Sequence, residues 1–150
     1  MILRDKIVID RPAEDVWRFI QSPALMKKWN PKVKTVVSVS RGDPAAGYRY
    51  RVRYEINGRE SNYLAEFMEY QDPLKLLIHL SGGNLPVKGY ILEIYELTEN
   101  TGKTLLKQRI EIHNSGMNIF SRFRLLCSHS FARISKGKHL SALKKLVETA

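Results

Sequence analysis

The residues with most to offer chemically are tyrosines. Tyr48, Tyr50 and Tyr54 alternate with arginines in Tyr48-Arg-Tyr-Arg-Val-Arg-Tyr-Glu-Ile56, and Tyr63 follows after Asn57-Gly58. A phenol joins a large apolar ring to a hydroxyl that both donates and accepts. Several on one face therefore suit a molecule that is mostly apolar and has a carbonyl or hydroxyl to orient. Gln108 adds an amide on another alternating run. Tyr50, Tyr54, Tyr63 and Gln108 are also the only candidates for proton transfer, and weak ones, because a phenol with its ordinary pKa near ~10 is a poor base at neutral pH. Other chemistries lack their parts. There is no glycine-rich phosphate loop, and His79, His113, His129 and His139 are not spaced with cysteines or acids as metal ligands are. No serine or cysteine nucleophile has an identifiable base and orienting acid. Neither a metal nor a cofactor is expected.

Strands must position these groups. The alternation over Tyr48 to Ile56 predicts a strand with one face in a core. Asn57-Gly58 predicts a two-residue hairpin turn, since a type I′ turn wants positive φ at both positions. The register follows: Ile56 faces Arg59, Tyr54 faces Ser61, Val52 faces Tyr63, Tyr50 faces Ala65 and Tyr48 faces Phe67 on the inner side. Outside, Arg49 falls opposite Glu66 and Arg53 opposite Asn62, while Glu55 meets Glu60. Such a tyrosine cluster either lines a hydrated, ligand-accepting pocket or packs as plain core with its hydroxyls partnered.

The next strand, Leu74 to Leu80, turns His79 away from Leu76, Ile78 and Leu80 and runs into the flexible Ser81-Gly82-Gly83-Asn84. Tyr90 to Thr98 and Thr104 to His113 form a last hairpin. With a three-residue loop at Asn100-Thr101-Gly102, Glu93 pairs with Arg109 outside, and Leu92, Ile94, Leu106, Gln108, Ile110 and Ile112 face inward. Earlier in the chain, Lys6 to Asp10 is a short strand. Pro12 opens a helix whose buried side is Val16, Trp17, Phe19 and Ile20. Ser22 and Pro23 start a second helix that stops at Trp29 before Asn30-Pro31, and Lys32 to Ser40 returns to strand with Val33, Thr35, Val37 and Val39 on one face.

Met117 to Ala150 contains no proline and reads as one long helix, or as two shorter ones. Phe120, Phe123, Cys127, Phe131 and Ile134 form an apolar stripe. Leu140, Leu143 and Val147 fall on roughly the opposite side at about 100° per residue, so a phase change is expected near Gly137. Cys127, the single cysteine, reads as inert core and cannot form an internal disulfide.

With 150 residues the chain is one domain, 1–150, and 43% hydrophobic with 27% charged residues is an ordinary globular composition. No run is long and apolar enough to span a membrane, and the start enters a strand directly, so the cytoplasm is the expected compartment. The net charge is +10. Arg122, Arg124, Arg133, Lys136, Lys138, Lys144 and Lys145 crowd the C-terminal stretch, a solvated helix surface or one suited to transient contact with an anionic membrane. Nucleic acid is not expected, because stacking aromatics do not interleave with these cations.

The run RPAEDVWRFIQSPALMKKWNPKV resembles the N-terminal signature of the START-like (SRPBCC) superfamily, in particular its polyketide cyclase/dehydrase and lipid-transport branch. Pro12, Val16, Trp17, Pro23, Trp29 and Pro31 carry the resemblance, and the order of strands and terminal helix extends it to the whole chain. It implies an α+β helix-grip (Bet v 1-like) fold, a curved antiparallel sheet of about seven strands wrapped on a long C-terminal helix, with two short helices after the first strand. It also implies a cavity between sheet and helix. On this frame the lining residues are Trp29, Tyr48, Tyr50, Tyr54, Tyr63, Phe67, Leu92, Ile94, Gln108 and Ile110 from the sheet side, and Phe120, Phe123, Cys127 and Phe131 from the helix. The expected function is a carrier or sensor of a hydrophobic small molecule, such as a lipid, quinone or polyketide-like aromatic. The alternatives are a cyclase or dehydratase using the same space, and a protein-binding co-factor. Polar groups converging on one point inside would favour the enzyme, and a uniformly apolar lining with a basic mouth the carrier.

Overall fold

Proline and serine set the start of the first two helices. In the computed structural model, which describes residues 1–56, 58–83, 85, 87–113 and 138–150 (of Lys138 the backbone only), strand β1 (Ile2–Ile9) leads to helix α1 (Ala13–Ile20). The Pro12 carbonyl accepts the first helical bonds from Asp15 and Val16. Glu99, reaching over from a distant strand, accepts the Ala13 N–H at 2.6 Å, placing a carboxylate at the positive end of the helix. Helix α2 (Pro23–Trp29) begins with the Ser22 hydroxyl accepting from Leu25 N–H and Pro23 in its first turn, as the sequence predicts. Amphipathic α1 buries Ala13, Val16, Trp17, Phe19 and Ile20.

Six further strands follow: β2 (Val33–Ser38), β3 (Arg49–Ile56), β4 (Arg59–Gln71), β5 (Lys75–Gly82), β6 (Tyr90–Asn100) and β7 (Lys103–His113). They form one antiparallel sheet with β1, in the order β1-β7-β6-β5-β4-β3-β2. Helix α3 (Lys138–Thr149) closes the described chain, packing on β1, α1 and α2 and burying Leu140, Leu143 and Val147. The expected stripe of Phe120, Phe123, Cys127, Phe131 and Ile134, and the phase change at Gly137, lie outside the described residues. Seven strands curving round a C-terminal helix, with two short helices after the first strand, are the helix-grip arrangement.

The β3/β4 register is the one predicted, with Tyr54 opposite Ser61, Val52 opposite Tyr63, Tyr50 opposite Ala65 and Arg49 opposite Glu66. Two other strands depart from expectation. In β2 a bulge between Val33 and Thr35 shifts the register. Val36 and Ser38 then share the inner side with Val52 and Tyr50, while Val37 and Val39 turn outward and are exposed. In the last hairpin the connection is a two-residue turn, Thr101-Gly102, with φ of 51° and 76°, and Asn100 pairs with Lys103. A register one residue away from the three-residue expectation turns every β6 side chain to the other face. Glu93 therefore lies opposite Ile110 rather than Arg109 and points into the core with Ile91, Tyr95 and Leu97. Leu92 and Ile94, expected inside, belong to the outer face. Gln108, Ile110 and Ile112 are inward, as expected.

Candidate functional site

Where β2 begins and β6 passes opposite it across the curved sheet, two charged side chains meet in the core. Lys32 Nζ lies 2.5 Å from Glu93 Oε1, and each residue is 1% exposed. The same Oε1 accepts from the Tyr54 hydroxyl at 3.2 Å, and Oε2 accepts from the Tyr95 hydroxyl at 3.2 Å. Lys32 Nζ also sits over the Tyr54 ring, 4.7 Å from its centroid, a cation–π contact. Asn30, buried at the end of α2, accepts the Lys32 N–H and so fixes the backbone that delivers the lysine.

The chain of polar groups continues across the sheet to α3. Gln108 Nε2 donates to the Tyr95 oxygen at 3.1 Å, and His139 Nε2 is 2.6 Å from Gln108 Oε1. An amide oxygen has no hydrogen to give, so His139 donates through Nε2. Each bond then points the same way: His139 to Gln108, Gln108 to Tyr95, Tyr95 to Glu93, with Lys32 and Tyr54 adding donors to the same carboxylate. Such a chain aims its donors at the Glu93 carboxylate and is strengthened by mutual polarisation. Burial pushes the phenols of Tyr50, Tyr54 and Tyr95 well above the ordinary value of 10.0, and the nearby Glu93 charge adds to the rise. They are hydrogen-bond donors at every physiological pH.

Around this polar centre the wall is aromatic. Tyr48, Tyr50 and Phe67 pack within 6.3 Å of one another, centroid to centroid, and Tyr54 lies 5.3 Å from Tyr63. Trp29 sets its edge against Tyr95 and donates Nε1–H to the Phe19 carbonyl. Tyr63 packs so closely on Gly83 that a Cβ there would come within 2.7 Å of the ring, which accounts for a glycine at that place. The structure thus brings together the predicted Trp29, Tyr48, Tyr50, Tyr54, Tyr63, Phe67, Gln108 and Ile110 on the inner side. Leu92 and Ile94 are excluded from it by the β6 register. His79 faces out, as expected, stacked on Tyr90, which in turn stacks on His113.

Two tyrosine hydroxyls have protein partners of different quality. Tyr48 bonds Ser38 Oγ at 2.6 Å, whereas Tyr50 has Met26 Sδ at 3.8 Å. A thioether is a weak acceptor, so Tyr50 is the phenol with most to gain from a ligand oxygen. Lys32, Glu93, Tyr95 and His139 were not singled out by sequence reasoning. A glutamate flanked on both sides by apolar residues in Ile91-Leu-Glu-Ile-Tyr95 was the available signal. Among the described residues no group of three or more His, Cys, Asp or Glu side chains is placed to hold a metal ion. No described helix is long and apolar enough to cross a membrane.

The fold is that of a START-like, Bet v 1-type protein. Residues 2–148 match the family described as polyketide cyclase / dehydrase and lipid transport, and the chain belongs to that family. Solved structures agree in fold. A protein of Thermus thermophilus is 17% identical with a TM-score of 0.79, over 99% of this chain and 98% of that one. The Zhui aromatase/cyclase of a Streptomyces species is 13% identical with a TM-score of 0.78, over 99% and 93%. A START superfamily protein of Mycobacterium smegmatis is 16% identical with a TM-score of 0.72, over 99% and 97%. At these identities the likeness is one of fold. No curated protein matches the chain in sequence.

Proposed function

We propose that the chain binds a hydrophobic small molecule with an aromatic or unsaturated body and a carbonyl or hydroxyl end, held against the inner face of the sheet as a carrier or sensor holds its cargo. The supporting observation is the aromatic wall of Tyr48, Tyr50, Tyr54, Tyr63 and Phe67 on the inner face, with the Tyr50 hydroxyl held only by Met26 Sδ. A buried ion pair is weak support for stability, because apolar side chains of similar volume serve as well or better. Its presence among Trp29, Tyr50, Tyr54 and Tyr95 is therefore better explained by a ligand whose polar end it orients. Tyr50, poorly satisfied by Met26, supplies the donor nearest that role.

A second reading is favoured by the same convergence. Protonated phenols and a lysine gathered at one point would stabilise the enolate of a polyketide-like chain during ring closure, as preorganised donors do in a water-excluded site. On this reading Tyr50, Tyr54 and Lys32 act as donors, and no tyrosine acts as base.

Native mass spectrometry of the protein isolated from its own source, with organic extraction of bound material, tests both. A stoichiometric apolar passenger that is lost in Tyr50→Phe supports the carrier. Conversion of an added linear polyketide to a cyclised product supports the enzyme. A clean protein whose tryptophan emission is unchanged by fatty acids, quinones and aromatic polyketides would defeat both.

A further inference from the structure

The outer face of the sheet carries an arrangement that strand pairing alone would avoid. The β1/β7 register sets Arg4 directly opposite Arg109 and Lys6 directly opposite Lys107. Like charges facing each other across strands are destabilising. Local acids answer this only in part. Glu111 Oε2 lies 2.9 Å from Arg109 Nε without the alignment of a hydrogen bond, and Glu96 is opposite Lys107. Arg4, Lys6 and Lys107 make no salt bridge among the described residues.

The four cations, with Asp5, Glu96, Gln108 and Ile94, wall a recess of about 660 Å³. At either end of the same face of β1 stand Ile2 and Val8, 47% and 52% exposed. The strand therefore presents an aliphatic side chain, two cations and a second aliphatic side chain in a row, at the border of the sheet.

We infer that this outer face of β1 and β7 docks on an anionic lipid bilayer. Arg4, Lys6, Lys107 and Arg109 meet the headgroup phosphates, and Ile2 and Val8 enter the layer just beneath. Cations alone would serve a free anion; cations flanked by exposed aliphatic side chains match a surface that is charged outside and apolar below. The net charge of +10 adds a long-range attraction to the same target. The surface is independent of the cargo reading, and its test needs no cargo.

Flotation of the full chain with phosphatidylcholine vesicles, with and without phosphatidylserine, provides that test. Binding is expected only with phosphatidylserine and is expected to weaken as salt is raised. Lys6→Gln with Lys107→Gln should weaken binding about 30-fold, because each basic residue at such a surface contributes roughly a factor of five. Arg51→Gln with Lys88→Gln, which removes the same net charge elsewhere, should weaken it by no more than about threefold. Ile2→Ser with Val8→Ser should lower the binding that survives high salt. Equal losses from the two charge pairs would reduce the effect to net charge and overturn the docking surface. So would an unchanged affinity in the Ile2, Val8 variant, or binding of inorganic phosphate without binding of vesicles.

Discussion

On the inner face of the sheet one lysine and one glutamate meet at 2.5 Å, with both carboxylate oxygens receiving further donors. On the outer face four cations line up in facing pairs across β1 and β7. Both faces hold charge in ways that strand propensity would not choose, and the surroundings set what each costs. An ion out of water must have a partner, because leaving it alone costs several kcal/mol. Under water and salt, like charges that oppose each other cost only tenths of a kcal/mol. Burial thus forces the inner charges to complete one another, whereas the outer charges can stay incomplete and be completed by something else.

The largest effect expected is on the inner side. Glu93→Ala removes the buried carboxylate that Lys32, Tyr54 and Tyr95 all bond and should cost about 3–5 kcal/mol in urea denaturation. Replacing both partners, Lys32→Met with Glu93→Leu, should recover about half of that loss or more. A single variant that costs under about 1 kcal/mol would mean that water reaches the pair.

Alkaline pH tests the phenols. The folded pKa values of Tyr50, Tyr54 and Tyr95 are raised above the unfolded value of 10.0, so their contribution is complete below that value and is lost as pH rises through and beyond it. Three such groups should lower stability by about 3 kcal/mol between about pH 10 and 11. The same titration of the triple Tyr→Phe variant should fall less steeply over that interval.

Smaller again is Gln108→Leu, which removes the link between His139 and Tyr95 and should cost about 1–3 kcal/mol. The smallest change should have the opposite sign. Lys6→Gln with Lys107→Gln relieves one facing pair and should stabilise the fold by about 0.2–1 kcal/mol. A loss of stability there would erase the contrast between the two faces.

How far the sequence discloses this arrangement depends on how each turn is written. Asn57-Gly58 spells a two-residue turn in the sequence, and the β3/β4 pairs from Arg49–Glu66 to Ile56–Arg59 agree with that reading. Thr101-Gly102 is a two-residue turn in the structure, but a threonine with φ of 51° is uncommon. A three-residue loop was thus the natural reading. β6 offers no correction, because Ile91, Leu92, Ile94 and Tyr95 put apolar side chains on both faces, so that alternation does not fix its phase. One residue of slip hid Glu93, and with it the partner that makes a buried Lys32 intelligible. The β2 bulge hid the outward turn of Val37 and Val39 in a similar way, since an unpaired residue leaves no mark in the alternation before it. The family resemblance, resting on Pro12, Val16, Trp17, Pro23, Trp29 and Pro31, reached the architecture but not this polar centre.

Lys32 and Glu93 are 61 residues apart in the chain, and in the sheet three strands separate β2 from β6. They touch only because the sheet bends back on itself. Neither can shed its water until that curvature has formed, so the pair belongs to the final stage of folding rather than to its nucleus. A chain with Lys32→Met and Glu93→Leu should therefore fold at a nearly unchanged rate, and its change in stability should appear in the unfolding rate.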